Sequence, residues 1–359
     1  VMGDATETLK IQTALWRLIA GASPSDALHH ADRDIVVPLV QRLAKRTSIG
    51  LASWVLAPLF ETFPDLVSEQ SRARSHQRHR FMQASAVKWL GPIADAGIDV
   101  VCLKGMATKY CFYPDPLIRG LGDVDLLVHA DDVPGLVKHL RSAGFRFKRS
   151  RGTPRWGLSS EASFHPFVAP DGAFSFDLHI HPDDYPVFQS LTTQDVFAKS
   201  VDIAAGEIQI KVPSFDHLIL IALTNAARDK FGPLSVGAMI DVMVGLARPG
   251  ANCDWGGLMA LAESGGYARA LTAGVHLLAA LGVPQGRLPD GASHEYSGFQ
   301  RVVFDGVVRD YLNMFETEPS KNSLQVRDIG LISAPSVVVH RNLRRIRGMI
   351  KPWSGLPKV

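Results

Sequence analysis

Residues 119–128 read R-G-L-G-D-V-D-L-L-V. Read as a strand, this stretch places Asp123, Asp125 and Leu127 on one face and Val124, Leu126 and Val128 on the other. Strand residues two apart are separated by about 6.6 Å. Two ionised carboxylates at that distance repel by about 2.5 kcal/mol at an effective dielectric near 20. An otherwise apolar strand tolerates them when a cation lies between them, and carboxylate oxygens favour hard divalent ions such as Mg²⁺ or Mn²⁺. The plain alternative is a strand end with two solvated aspartates.

The surroundings of this strand predict a small mixed α/β unit. Residues 98–105 (IDVVCLKG) form a β-rich run, 106–113 a helix, and 114–122 a loop leading into the strand. Residues 130–145 follow as a helix, with Asp131 or Asp132 available as N-cap and Gly144 at the position of a C′ glycine. Residues 163–169 (SFHPFVA) and 173–181 (AFSFDLHIH) flank Pro170-Asp171-Gly172, which predicts an antiparallel hairpin. In its second strand Phe174, Phe176, Leu178 and Ile180 share one face, and Ser175, Asp177, His179 and His181 the other. If this strand lies beside DVDLLV, Asp177 becomes a third carboxylate converging on the same ions. Three carboxylates suit the two metals of an in-line phosphoryl displacement. Residues 208–212 (IQIKV) are expected as the last strand.

Helical periodicity fills the rest. Residues 1–96 are expected as a helical region, with breaks at 21–26 and 62–65; 97–213 as the α/β core; 214–294 as a second helical region; and 295–359 as a less regular tail with a basic end. The fold class is therefore α/β (α+β), a small mixed sheet flanked by helices on both sides in sequence. A net charge of +3 gives no general case for nucleic-acid binding. Cys102, Cys111 and Cys253 form no CxxC pair, which fits reduced thiols and a cytoplasmic location. The first residues lack the pattern of a secretory leader. The most apolar runs, 218–227 and 271–283, are shorter than the roughly 20 residues a membrane span needs.

The succession V-C-L-K-G-M-A (101–107), Y-P-D-P (113–116), I-R-G-L-G-D-V-D-L-L-V (118–128) and F-D-L-H (176–179) resembles the uncharacterised bacterial nucleotidyltransferase family of the DNA polymerase β-like superfamily. The likeness is close from Val100 to His181 and looser through 212–227, 240–247 and 254–266. It implies that Asp123 and Asp125 hold both metals and Asp177 the catalytic one. Lys104-Gly105-Met106 falls where the superfamily has a glycine-serine turn for the β and γ phosphates, with Met106 in place of the serine. Lys104 and Arg119 are candidates to supply charge there, and one of His179 and His181 to orient a carboxylate or touch substrate. The implied reaction moves a nucleoside monophosphate from an NTP such as ATP to a hydroxyl or phosphate acceptor, with Mg²⁺ or Mn²⁺ and release of pyrophosphate. Small molecules, peptides, proteins and RNA ends all remain open as acceptors.

Two other readings stand beside it. Met106 favours a catalytically silent nucleotide- or partner-binding protein of the same fold, and Asp177, His179 and His181 would suit a metal-dependent phosphohydrolase, with zinc as the metal. His165 is expected as a hairpin residue. Two basic runs, 72–80 (RARSHQRHR) preceding a long helix and 341–351 (RNLRRIRGMIK), read as solvated faces or as grips for a polyanion. Dinucleotide, P-loop, zincin and hydrolase-elbow motifs are absent from the sequence.

Overall fold

In a computed structural model of the chain, residues 2–22, 28, 30–148, 162–291, 298–331, 339 and 343 are described, residues 2–6 by backbone alone. The strands are β1 (Val101–Cys102), β2 (Val124–Leu127), β3 (Arg146–Phe147), β4 (Phe167–Val168), β5 (Ser175–His179), β6 (Val201–Ala205) and β7 (Ile208–Val212). They form one mixed sheet in the order β3-β4-β5-β2-β1-β7-β6. The pairs β2–β5 and β1–β7 are parallel and the others antiparallel. The fold is α/β, as expected.

The hairpin around Pro170-Asp171-Gly172 forms: β4 pairs antiparallel with β5, and Gly172 takes φ +69°. Its apolar face is buried as the alternation requires, with Phe174, Phe176, Leu178 and Ile180 all in the core. Phe176 stacks on Phe145, centroids 5.3 Å apart, and Trp89 meets Phe145 edge-on at 5.1 Å. Such pairs add about 0.5–1.5 kcal/mol each beyond burial. Gly144 ends its helix at φ +90°.

Thirteen α-helices are described. In the first part of the chain these are α1 (Met2–Ile19), α2 (Arg33–Arg46), α3 (Ile49–Val55) and α4 (Glu69–Asp95). Helix α5 (Lys104–Cys111) follows β1, α6 (Val133–Ser142) follows β2, and α7 (Thr193–Ala198) precedes β6. Then come α8 (Phe215–Arg228), α9 (Val236–Ala247), α10 (Trp255–Ser264), α11 (Ala268–Ala280), α12 (Gly298–Leu312) and α13 (Lys321–Gly330). Helix α8 packs on α5, α9 and α11 and is apolar nearly all round, as an enclosed helix must be. Trp16 of α1 stacks on Phe315, just beyond α12, with centroids 4.8 Å apart. One continuous apolar core therefore runs from Ile11 through the sheet to Leu331.

Several local expectations are corrected. Between the expected breaks at 21–26 and 62–65 the chain is further divided: Ser48 starts α3 by accepting from the Leu51 N–H at 3.1 Å, which competes with continued helix. The basic run 72–80 lies inside α4 and does not precede it, because Ser68 caps that helix and no breaker follows. His79 from this run is buried, its Nδ1 donating to the Leu117 carbonyl at 2.9 Å. Asp132 occupies the N-cap of α6, yet its side chain makes no capping bond there. Strand β6 was not expected; it forms a hairpin with β7 around Gly206, φ +69°. The second basic run, 341–351, lies outside the described residues except for Leu343.

Phe176→Ala should cost about 3–5 kcal/mol of unfolding free energy, the usual range for a buried phenylalanine. Chemical denaturation of the two proteins measures it, and a loss under about 1 kcal/mol would contradict the packing described.

Candidate active site

The β2–β5 register decides the site. Asp125 and Asp177 are direct cross-strand partners, and His179 pairs with Leu127 two residues on. Paired residues on neighbouring strands share a face at a strand spacing of about 4.8 Å. Asp123, one residue before β2, joins them in a cleft whose volume, counted out to its open mouth, is about 1150 Å³. Sequence alternation alone thus placed the three carboxylates on polar faces, and the parallel pairing brings those faces together.

Lys104 opens α5 with φ +43°, a left-handed conformation that costs a non-glycine residue about 1–2 kcal/mol. Its Nζ donates to Asp125 Oδ1 at 2.6 Å. His179 is buried behind the same carboxylate, with Nε2 at 2.8 Å from that oxygen. Burial lowers the His179 pKa, with the nearby Lys104 charge adding to the effect, so the ring is neutral. Its Nε2–H then donates to Asp125, and its Nδ1 is buried without a hydrogen-bond partner. Burial alone would raise the Asp125 pKa, but the Lys104 charge and the His179 bond reverse this and hold it well below the ordinary carboxylate range. Lys104 stays charged: burial opposes its ammonium, and the Asp125 charge outweighs that opposition.

The other two carboxylates have no such neutraliser. Burial, then the charges of Asp125 and Asp123, push Asp177 up to about 7. Its Oδ1 is buried with no hydrogen-bond partner. Asp123 is raised too, by loss of hydration and by Asp125. Among the described residues no three His, Cys, Asp or Glu side chains are drawn together closely enough to ligate an ion as they stand.

Around the triad stand cations, most of them anchored by acids of their own. Arg119 binds Asp241 of α9 through two bonds, Nε to Oδ1 at 2.9 Å and Nη2 to Oδ2 at 3.2 Å. Asp241 also accepts from Thr108 Oγ1 at 3.0 Å and from the Tyr113 hydroxyl at 2.6 Å. One buried carboxylate therefore ties α5, the loop before β2 and α9 together. Arg228 at the end of α8 donates through Nη1 to Asp183 at 2.9 Å and to Asp184 at 3.4 Å. Arg46, from the end of α2, also lines the cleft. Gly105 lines it as well; a Cβ there would be in ordinary contact with Leu121 and Arg119, so packing does not demand glycine. Met106 points the other way and is fully buried. Gly120 is demanded by packing, since a Cβ would lie 2.5 Å from His79 Nε2.

Asp123, Asp125, Asp177, Lys104, Gly105 and Arg119 are thus brought to one cleft, while His179 stands behind it and the Met106 side chain leaves it. The phosphohydrolase trio does not converge: His181 stacks on Phe188 at 4.2 Å while His179 serves Asp125. His165 meets the edge of Phe147 and is not part of the cleft wall. Sequence reading missed Asp241, Arg228, Asp229 and Arg46. A lone acid inside the apolar run 236–247 was the available signal for Asp241, and the Arg-Asp pair ending an apolar helix for Arg228 and Asp229.

Comparison with known proteins gives one match: the sequence profile of a family described as "Uncharacterised nucleotidyltransferase" matches residues 24–282. No curated protein and no solved structure matches the chain.

Two outcomes are expected. Asp241→Ala strands a buried guanidinium and two hydroxyls and should cost about 3–5 kcal/mol in denaturant unfolding; a change below about 1 kcal/mol would refute the hub. The second concerns pH. The raised Asp177 pKa means that the folded state holds its proton between about pH 4 and 7 while the unfolded chain has lost it. Asp177 therefore lowers stability progressively as pH rises through that window. In protein stripped of divalent ions, Asp177→Asn should melt above wild type by a small margin at pH 5 and by a clearly larger one at pH 8; an equal gap at both pH values would contradict this.

Proposed function

Because the chain belongs to the uncharacterised nucleotidyltransferase family, we propose that its cleft transfers a nucleoside monophosphate from an NTP, ATP among them, to a hydroxyl or phosphate acceptor and releases pyrophosphate. The observation that carries this reading is the pairing of Asp125 with Asp177 in the cleft that also holds Asp123, Lys104 and the start of α5. Asp123, Asp125 and Asp177 would hold Mg²⁺ or Mn²⁺. The donor set suits a hard cation, and the partnerless Oδ1 of Asp177 is a ligand atom in waiting. When bound, such ions neutralise the reacting phosphate and make the attacking oxygen a better nucleophile.

The chain's own groups do the rest. Gly105 and Met106 offer backbone N–H groups at the start of α5, where orphan donors and the helix dipole favour a phosphate. The burial of Met106 removes a serine-like hydroxyl from this turn, so backbone donors and Lys104 carry that contact. Arg119, fixed edge-on by Asp241, presents its remaining N–H groups for a forked contact. His179 holds Asp125 in one orientation and takes no part in contact with the nucleotide. Lys104 neutralises Asp125 until a divalent ion does, and is then free to pair with phosphate oxygens.

With α-labelled ATP and Mg²⁺ or Mn²⁺, wild type should release pyrophosphate and place label in product, and Asp123→Asn should slow this more than about 100-fold. Metal-independent nucleotide binding unaffected by Asp123→Asn, without turnover, would replace this reading with a silent binding protein. Arg119→Ala should raise the KM for ATP about 10-fold or more, the loss of a charge-assisted forked contact; an unchanged KM would remove Arg119 from the nucleotide site.

A further inference from the structure

The cleft is electrically lopsided. Its α5 side offers helix-start N–H groups, Lys104 and Arg119, while its α8 side ends in acids. Asp229 is the C-cap of α8 and lines the cleft. A carboxylate at a helix C-terminus opposes the dipole. Burial and the nearby charges of Asp183 and Asp184 disfavour it further and raise its pKa, Arg228 and Lys104 being the charged groups that favour its ionised form. Arg228 is already engaged by Asp183 and Asp184. Of the three carboxylates around Arg228, Asp229 is the one that lines the cleft, while Asp183 and Asp184 line the neighbouring cavity.

The backbone here is costly too. Lys230 and Phe231 follow with φ +58° and +47°, two successive non-glycine residues in left-handed conformation. They are held there by Arg327 of α13, almost wholly buried, whose Nη1 donates to the Lys230 and Phe231 carbonyls at 3.0 and 3.2 Å. Gly232 N–H closes the turn on the Asp229 carbonyl at 2.9 Å, so close that a Cβ on Gly232 would lie 2.9 Å from that oxygen. A buried arginine on a distant helix therefore fixes an aspartate where helix dipole, burial and neighbouring charge all disfavour it. The turn is also a hydrogen-bonded helix end, with the Lys230 N–H on the Ala227 carbonyl and the Phe231 N–H on the Ala226 carbonyl, both at 2.8 Å, so the position of Asp229 is set from both sides.

Resting on the nucleotidyl-transfer reading above, we propose that Asp229 is the catalytic base for the acceptor, taking the proton of an uncharged or cationic hydroxyl compound at the α8 end of the cleft. The acceptor oxygen forms the bond to the α-phosphorus. The bond from that phosphorus to the bridging oxygen breaks, and its electron pair leaves with pyrophosphate toward the α5 side. The acceptor proton passes to Asp229 and then to solvent. A phosphate acceptor is disfavoured on two counts: the acids at this end repel it, and its attacking oxygen carries no proton that needs a base.

The test uses the full chain with Mn²⁺, α-labelled ATP, and water or inorganic phosphate as acceptor probes. Label should appear in AMP and not in ADP. At Mn²⁺ high enough to displace the Asp177 proton, Asp229→Asn should lower kcat about 100-fold, the lower end for loss of a general base, leave the KM for ATP within about 2-fold, and remove the acid limb of the pH–rate profile. Asp229→Glu should restore part of kcat and keep the limb. Asparagine removes a charge that the helix dipole, burial and nearby carboxylates disfavour, so Asp229→Asn should melt at or above wild type. Unchanged kcat and pH profile in Asp229→Asn, or label entering ADP equally in both proteins, overturns the base while transfer itself stands. A raised KM for ATP at wild-type kcat overturns it in favour of a nucleotide contact. Failure of wild type to exceed Asp123→Asn overturns the transfer reading, and this inference with it.

Discussion

Holding Asp125 and Asp177 side by side is the constraint to which the rest of this site answers. A parallel register between β2 and β5 forces their carboxylates onto one face, and Asp123 adds a third carboxylate to the same cleft. Without neutralisation the three repel one another by kilocalories at protein-like dielectric. The chain answers unevenly. Lys104 and His179 both serve Asp125, which ionises readily, whereas Asp177 is left buried with an orphan oxygen and holds its proton. The asymmetry leaves three carboxylates in one cleft that are unequally neutralised and, as they stand, not drawn together as ligands.

The helical parts supply what the sheet cannot. Asp241 of α9 gathers Arg119, Thr108 and Tyr113, so the cationic loop before β2 is braced by a helix more than a hundred residues later in the chain. Arg327 of α13 shapes the turn after α8, and Trp16 of α1 packs on Phe315 beyond α12. The walls of the cleft are thus set by contacts between segments far apart in sequence, and the sheet contributes the paired carboxylates.

That division also explains what was legible beforehand. The alternation of Phe174, Phe176 and Leu178 with Asp177 and His179 fixes which side of β5 is polar, and Pro170-Asp171-Gly172 fixes the hairpin. Strand β6 went unread because residues 201–205 (VDIAA) alternate weakly; its only sharp signal is the Gly206 turn. The basic run at 72–80 misled because charge marks a surface and not a boundary, and because His79 in it is buried against Leu117 and Gly120. Met106 looked like a defect in a phosphate turn, but helical geometry sends its side chain into the core and leaves the backbone in place. Arg228 and Asp229 acquire meaning only once α8 is seen to cross the cleft.

The central claim, that Asp123, Asp125 and Asp177 form one divalent-cation site, is tested most directly by calorimetric titration of Mn²⁺ into nucleotide-loaded protein at about pH 7, run in buffers of different ionisation enthalpy. The Asp177 carboxyl titrates at about 7, so the account predicts that Mn²⁺ binds with release of a fraction of a proton. Asp177→Asn should abolish that release and weaken binding, and Asp125→Asn should abolish binding. Binding of equal affinity and no proton release in all three proteins would contradict it.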